Sequence, residues 1–96
     1  MWRFVRWLLA PKSIKNLYRG FFTQAGEEYM EVHIDWNEVN ELYRLLNLPM
    51  KFIYPSGDYH FIGVWLRDGY FGAILYKGKI IRYRLLKRRR EASSPS

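Results

Sequence analysis

Two glycine-bearing dipeptides constrain this chain more than anything else in it. Asp68-Gly69 and Lys77-Gly78 cut residues 59–86 into three runs rich in aromatic and aliphatic side chains, at about 59–66, 70–76 and 79–86. Connections this short leave no room for a crossover helix, so the runs must be antiparallel neighbours. A two-residue loop at Asp68-Gly69 sets Leu66 opposite Phe71, Val64 opposite Ala73 and Ile62 opposite Leu75. The other face then pairs Trp65 with Gly72 and Phe61 with Tyr76. A three-residue loop with a bulge would exchange the faces. In either register both faces are apolar, and each needs a cover.

The covers are legible upstream. Ile14, Leu17, Tyr18 and Phe21 recur at helical spacing over 12–19, with Lys12, Lys15, Asn16 and Arg19 on the opposite stripe. Pro11 suits the first turn of that helix, and Gly20 suits a C′ position with positive φ. Residues 2–9 also fit a helix, and Thr23 to Gly26 reads as a turn. Glu28 to Ile34 alternates as a half-buried strand, with Met30, Val32 and Ile34 on one face. Asp35 and Glu38 then form a capping-box pattern ahead of the apolar stripe Val39, Leu42, Tyr43 and Leu46. Met50 to Tyr54 reads as a short strand, followed by a turn at Tyr54-Pro55-Ser56-Gly57. Gly63 and Gly72, inside strands, mark bulges or room for an aromatic neighbour such as Trp65.

The predicted fold is α+β. An N-terminal helical segment leads into β-α-β and then an antiparallel β-meander, giving a mostly antiparallel sheet of four to five strands. At 96 residues the chain suits one domain, assigned to 1–86, with 87–96 as a basic, then Ser/Pro-rich, mobile tail. No apolar run approaches a bilayer span, and the opening ten residues lack the h-region of a secretory signal. The expected location is therefore intracellular, cytoplasmic or nucleoid/nuclear, and Lys87-Arg88-Arg89-Arg90 could serve as a nuclear-import signal.

Charge is unevenly distributed. Residues 1–26 carry five cations and no acid, residues 27–68 have a net charge of −5, and Lys77 to Glu91 a net charge of +7. A field polarised in this way attracts polyanions. Arg82 and Arg84 share a strand face and lead into Lys87, Arg88, Arg89 and Arg90. Arginine forks match phosphate oxygens, and each phosphate neutralised releases counterions. Tyr83 and other sheet aromatics offer stacking surfaces for unpaired bases. The chain is thus expected to bind nucleic acid, DNA or RNA, electrostatically and with weak sequence specificity. The residues assigned to this role are Arg82, Tyr83, Arg84, Lys87, Arg88, Arg89, Arg90, Lys77 and Lys79, extended by Lys12, Lys15 and Arg19.

No catalytic centre, metal site or cofactor is expected. With no cysteine there is no thiolate chemistry. Glu31, His33 and Asp35 could approach one another along a strand, but Asp35 already has a capping role. Ser56, Asp58 and His60 lie too close in sequence to build a triad, and Tyr43 belongs to a core stripe. The glycines punctuate a sheet and form no phosphate loop. The alternative reading is a protein-interaction module, a homodimer or an inhibitor, docking through an aromatic sheet face. A membrane-surface contact through residues 2–19 is the weaker alternative.

Residues Tyr70 to Glu91, a strand, a tight turn, a strand and then Lys-Arg-Arg-Arg-Glu, resemble the C-terminal end of RelE/ParE-type toxins. The opening, leading into Lys12-Ser13-Ile14-Lys15-Asn16-Leu17, is loosely similar as well. The resemblance implies a ribosome-associated RNase or gyrase-directed toxin with Arg82, Arg84 and Arg88 to Arg90 near the active end. The strand expected at 28–34 departs from that family's order.

Overall fold

The computed structural model describes residues 1–89. Five strands, β1 (Tyr29–Val32), β2 (Lys51–Ser56), β3 (Tyr59–Leu66), β4 (Gly69–Tyr76) and β5 (Lys79–Arg88), form one antiparallel sheet in the order β1-β5-β4-β3-β2. Helices α1 (Trp2–Leu9) and α2 (Lys12–Phe21) cover one face. Helix α3 (Val39–Leu45), entered through a single 3₁₀ turn at Trp36–Glu38, covers the other. The fold is α+β with N-terminal helices and a meander-like sheet. No helix among the described residues is long and apolar enough to cross a membrane.

Turn chemistry sets the meander. Lys77 and Gly78 have φ of 50° and 82°, the paired positive values of a type I′ turn, whose twist matches the strands it joins. The β3–β4 connection is Arg67-Asp68, with Leu66 opposite Gly69. This differs from the expected register by two residues: Val64 faces Phe71 and Ile62 faces Ala73. A slip of two preserves the face of every side chain, so the two apolar surfaces keep the predicted membership. Gly69 belongs to the strand because β5 runs against it, and a Cβ there would strike the Leu86 carbonyl. Likewise Pro55 lies within β2, and the turn falls at Gly57-Asp58. Strand β2 is an edge, where a missing N–H is tolerated.

Gly20 stays within α2, which runs on to Phe21. Thr23 Oγ1 and Gln24 Nε2 donate to the carbonyls of Gly20 and Phe21, satisfying end groups that a glycine C′ would otherwise satisfy through the backbone. Asp35 caps as expected, accepting from the Asn37 N–H at 3.1 Å, although the turn it opens is 3₁₀.

Two cores result. Under α1 and α2 lie Ile14, Tyr18, Phe21, Phe22, Tyr59, Phe61, Ile74 and Leu86; under α3 lie Leu42, Leu46, Val64, Phe71, Ala73, Leu75 and Leu85. Gly63 and Gly72 sit opposite each other and form a hollow for two rings. A Cβ at Gly63 would come within 2.6 Å of Phe21, and one at Gly72 within 2.7 Å of Phe22. They serve as room for aromatics, which are Phe21 at the end of α2 and Phe22 just after it, in place of the expected Trp65.

Strand β5 carries the feature that positions the site. Leu75 pairs with Ile80 and Ile74 with Arg82, so Ile81 is an inserted bulge residue. Strict alternation from Ile80, which packs in the α3 core, would send Arg82 and Arg84 to that same face. The bulge turns them to the α1/α2 side instead. Strand β1 pairs only with Leu85 to Arg88, so Ile81 to Arg84 form an edge with no strand beyond it among the described residues. Lys87 and Arg88, assigned from sequence to the tail, belong to the sheet because β1 pairs with them. The tail from Arg90 lies outside the described residues.

Candidate functional site

The unpartnered stretch of β5 forms the floor of a cavity of about 740 Å³. Its walls are Arg3, Phe4 and Trp7 of α1, Tyr18 and Arg19 of α2, Glu31 to His33 at the end of β1, and Trp36. This volume lies in the range of small-molecule clefts.

Its chemistry is arginine on aromatic. The Arg82 guanidinium lies 4.2 Å from the centroid of Trp7, and that of Arg3 lies 3.8 Å from Trp36. Arg19 and Lys15 approach the same Trp7 ring at 5.5 and 5.3 Å, and Arg84 lies 5.1 Å from Phe22. A guanidinium stacked flat on a ring is held by its face and keeps its edge N–H groups free for an incoming anion. Three cations therefore converge on Trp7. Glu31 is the lone carboxylate on the lining among the described residues, and it is paired to Arg84 at 3.2 Å. Tyr18 closes the base. Burial pushes its hydroxyl up to about 12, against the pull of the Arg82 guanidinium beside it.

The residues assigned from sequence are divided among several places. Arg82, Arg84 and Arg19 meet in the cleft. Tyr83 also borders it, but its hydroxyl accepts from the Ile34 N–H and donates to the Ile34 carbonyl, tying the end of β1 to β5. Lys87 pairs with Asp68 at 3.3 Å, and Arg88 pairs with Glu28 at 2.9 Å while also donating to the Tyr29 hydroxyl. The acidic middle of the chain thus neutralises part of the basic end directly. Arg89 is exposed past the end of β5, and Arg90 lies outside the described residues. Lys77 lies in the β4–β5 turn and Lys79 opens β5, both apart from the cleft lining. Lys15 donates to the Leu8 carbonyl, and Lys12 is exposed at the start of α2.

Sequence reasoning did not assign Arg3, Trp7, Tyr18 or Trp36 to a site. Arg3 and Trp7 are four residues apart, a one-face spacing that would have paired them, but nothing local brings them to β5. Of the sheet aromatics, Phe61 and Phe71 are buried and Tyr70 packs edge-on against Phe21 and Tyr29, while Phe52, Tyr54 and Trp65 are partly exposed but lie apart from the cleft lining. Glu31 is committed to Arg84, which leaves His33 and Asp35 without the third member of the ligand set considered above. No group of three metal-ligating side chains occurs among the described residues.

Comparison with protein-family models, with curated proteins and with solved structures returns no match to this chain.

Proposed function

We propose that this protein binds single-stranded nucleic acid without catalysis, holding the phosphodiester chain in the cleft between α1 and β5. The reading rests on one observation: Lys15, Arg19 and Arg82 converge on the Trp7 ring, with Arg3 and Arg84 close by. Like charges gathered this way repel one another, and an anion placed among them relieves that repulsion. The guanidinium edges suit phosphate oxygens, which carry no sequence information, so specificity is weak. A single strand is favoured over a duplex because the cations gather in a cleft among aromatic rings: the basic helix α2 is packed on the sheet through Ile14, Tyr18 and Phe21, and α3, which does stand clear of the cleft, carries Glu41 and follows Glu38.

The test is fluorescence anisotropy of a labelled single-stranded oligonucleotide across about 50–200 mM salt. Affinity falls as salt rises, and Arg82→Gln and Arg84→Gln each flatten the log–log slope by about 0.7, the value for one phosphate contact on a single strand. Binding that is absent, or unaltered in Arg82→Gln, refutes the reading.

A second reading, docking on another protein, draws on β2. This edge strand exposes Phe52, Ile53 and Tyr54, with Met50 just before it, and its outer backbone groups have no strand neighbour among the described residues. A mass that rises with concentration in the native protein and stays monomeric in Ile53→Lys would select it.

A further inference from the structure

Helix α1 is mounted the wrong way round for a helix packed on a core. At 100° per residue, Phe4, Val5, Leu8 and Leu9 share one arc while Arg3, Arg6 and Trp7 share the opposite one. Packed helices turn the apolar arc inward. Here the polar arc faces the protein. Arg3 stacks on Trp36, Arg6 lies over Tyr76 at 4.4 Å, Trp7 packs edge-on against Tyr18, and the Tyr59 hydroxyl donates to the Arg6 carbonyl. No residue of α1 is buried, and Leu9, Phe4 and Leu8 are 63%, 56% and 54% exposed. Contiguous large apolar side chains in water mark a surface that something else covers.

Charge identifies the cover. Residues 1–26 contain five cations and no acid. Lys15 reaches the Leu8 carbonyl at the C-terminal end of α1, and Lys12 is exposed where α2 begins. A second copy docked on this face would set one cationic rim against another. An anionic surface meets apolar side chains and cations together, and stable attachment to a bilayer needs both signals.

We infer that α1 lies in the plane of an anionic lipid surface. Val5, Leu8 and Leu9 enter the acyl boundary, Lys12 meets the lipid phosphates, and half-exposed Trp2 sits at headgroup depth on the flank. The eight-residue helix lies on the membrane without crossing it. The inference is independent of nucleic-acid binding in the cleft.

The experiment is flotation of the full chain with vesicles of phosphatidylcholine alone, or containing about a quarter phosphatidylserine, with tryptophan emission as a second readout. The protein floats with the anionic vesicles and its emission shifts to the blue. Leu8→Ser/Leu9→Ser lowers partitioning by about tenfold or more, and Lys12→Gln by about fivefold. Both leucines are exposed and lie off the cleft lining, so the double variant keeps its circular dichroism and its affinity for the labelled oligonucleotide. Three results overturn the inference: no flotation; equal flotation of Leu8→Ser/Leu9→Ser, which would mean adsorption by charge alone; or a wild-type dimer that this variant turns into a monomer, which would assign the face to a second copy. Loss of oligonucleotide binding by the native protein bears only on the cleft.

Discussion

The two faces of the sheet are closed by different means. Beneath α3 the packing is mostly aliphatic, with Leu42 and Leu46 set on Val64, Phe71, Ala73, Leu75 and Leu85. Tyr43, on the same helix, donates no side chain to a site; its hydroxyl accepts from the Ile80 N–H at 2.8 Å and ends the open edge of β5. Beneath α1 and α2 the packing is aromatic, seated on a two-glycine hollow, and its outer part consists of guanidiniums laid on rings. Aliphatic packing is directionless and can be sealed on all sides. Arginine stacked on an aromatic ring needs water or an anion at its free edge, so a face built that way stays partly open. One face supplies stability, and the other gives up some of it to keep charge available.

That contrast can be attacked in order of effect. Leu42 is fully buried, and Leu42→Ala should lower the unfolding free energy in urea by about 3 kcal/mol while leaving the oligonucleotide affinity of the folded fraction unchanged. On the opposite face, Tyr18 titrates near 12 instead of the usual 10, chiefly through burial. Folding therefore favours its protonated form. The associated stability is whole below the unfolded value near 10 and disappears as pH rises through the folded value near 12, by about 2–3 kcal/mol in total. Urea unfolding repeated from neutral pH upward should show that decline, and Tyr18→Phe should remove that component of it. Gly72→Ala pushes a methyl group into Phe22 and should cost about 2 kcal/mol by thermal unfolding, with partial recovery when Phe22→Leu is added. Glu31→Gln releases Arg84 and should raise oligonucleotide affinity at low salt by about fivefold, the equivalent of roughly 1 kcal/mol. Last, the Lys87–Asp68 pair is solvent-exposed on both sides, and Asp68→Asn should change stability by less than about 0.5 kcal/mol.

Much of the fold follows from local chemistry. The paired positive φ values of Lys77-Gly78, the apolar stripe Ile14-Tyr18-Phe21 and the Asp35 cap all act over a few residues, and all were legible. The two-residue slip at Arg67-Asp68 was not, because it depends on Gly69 meeting β5, a neighbour far along the chain. The cleft was legible only in part. Arg82, Arg84 and Arg19 stand out by charge, but Trp7 and Trp36 acquire their meaning from arginines that approach through tertiary structure. Ion pairing hid in the same way. Glu28 and Glu31 fall in a segment that reads as a half-buried strand, and only the pairing of β1 with β5 brings them to Arg88 and Arg84. The orientation of α1 was the least accessible of all, since an eight-residue helix with an aromatic ring on both its aliphatic and its cationic arc fits a core by either side.

The bulge at Ile81 has a consequence for sequence change. Between the type I′ turn and the pairing with β1, the number of residues in β5 carries information that their identity does not. Conservative exchanges of Ile80 or Ile81 would leave the arginines where they are, whereas loss of a single residue there would exchange inside for outside along the whole following half-strand. Selection in this segment should therefore tolerate substitution and reject insertions and deletions of odd length, so a length-invariant, composition-variable β5 is the signature to look for in any relative that retains the cleft.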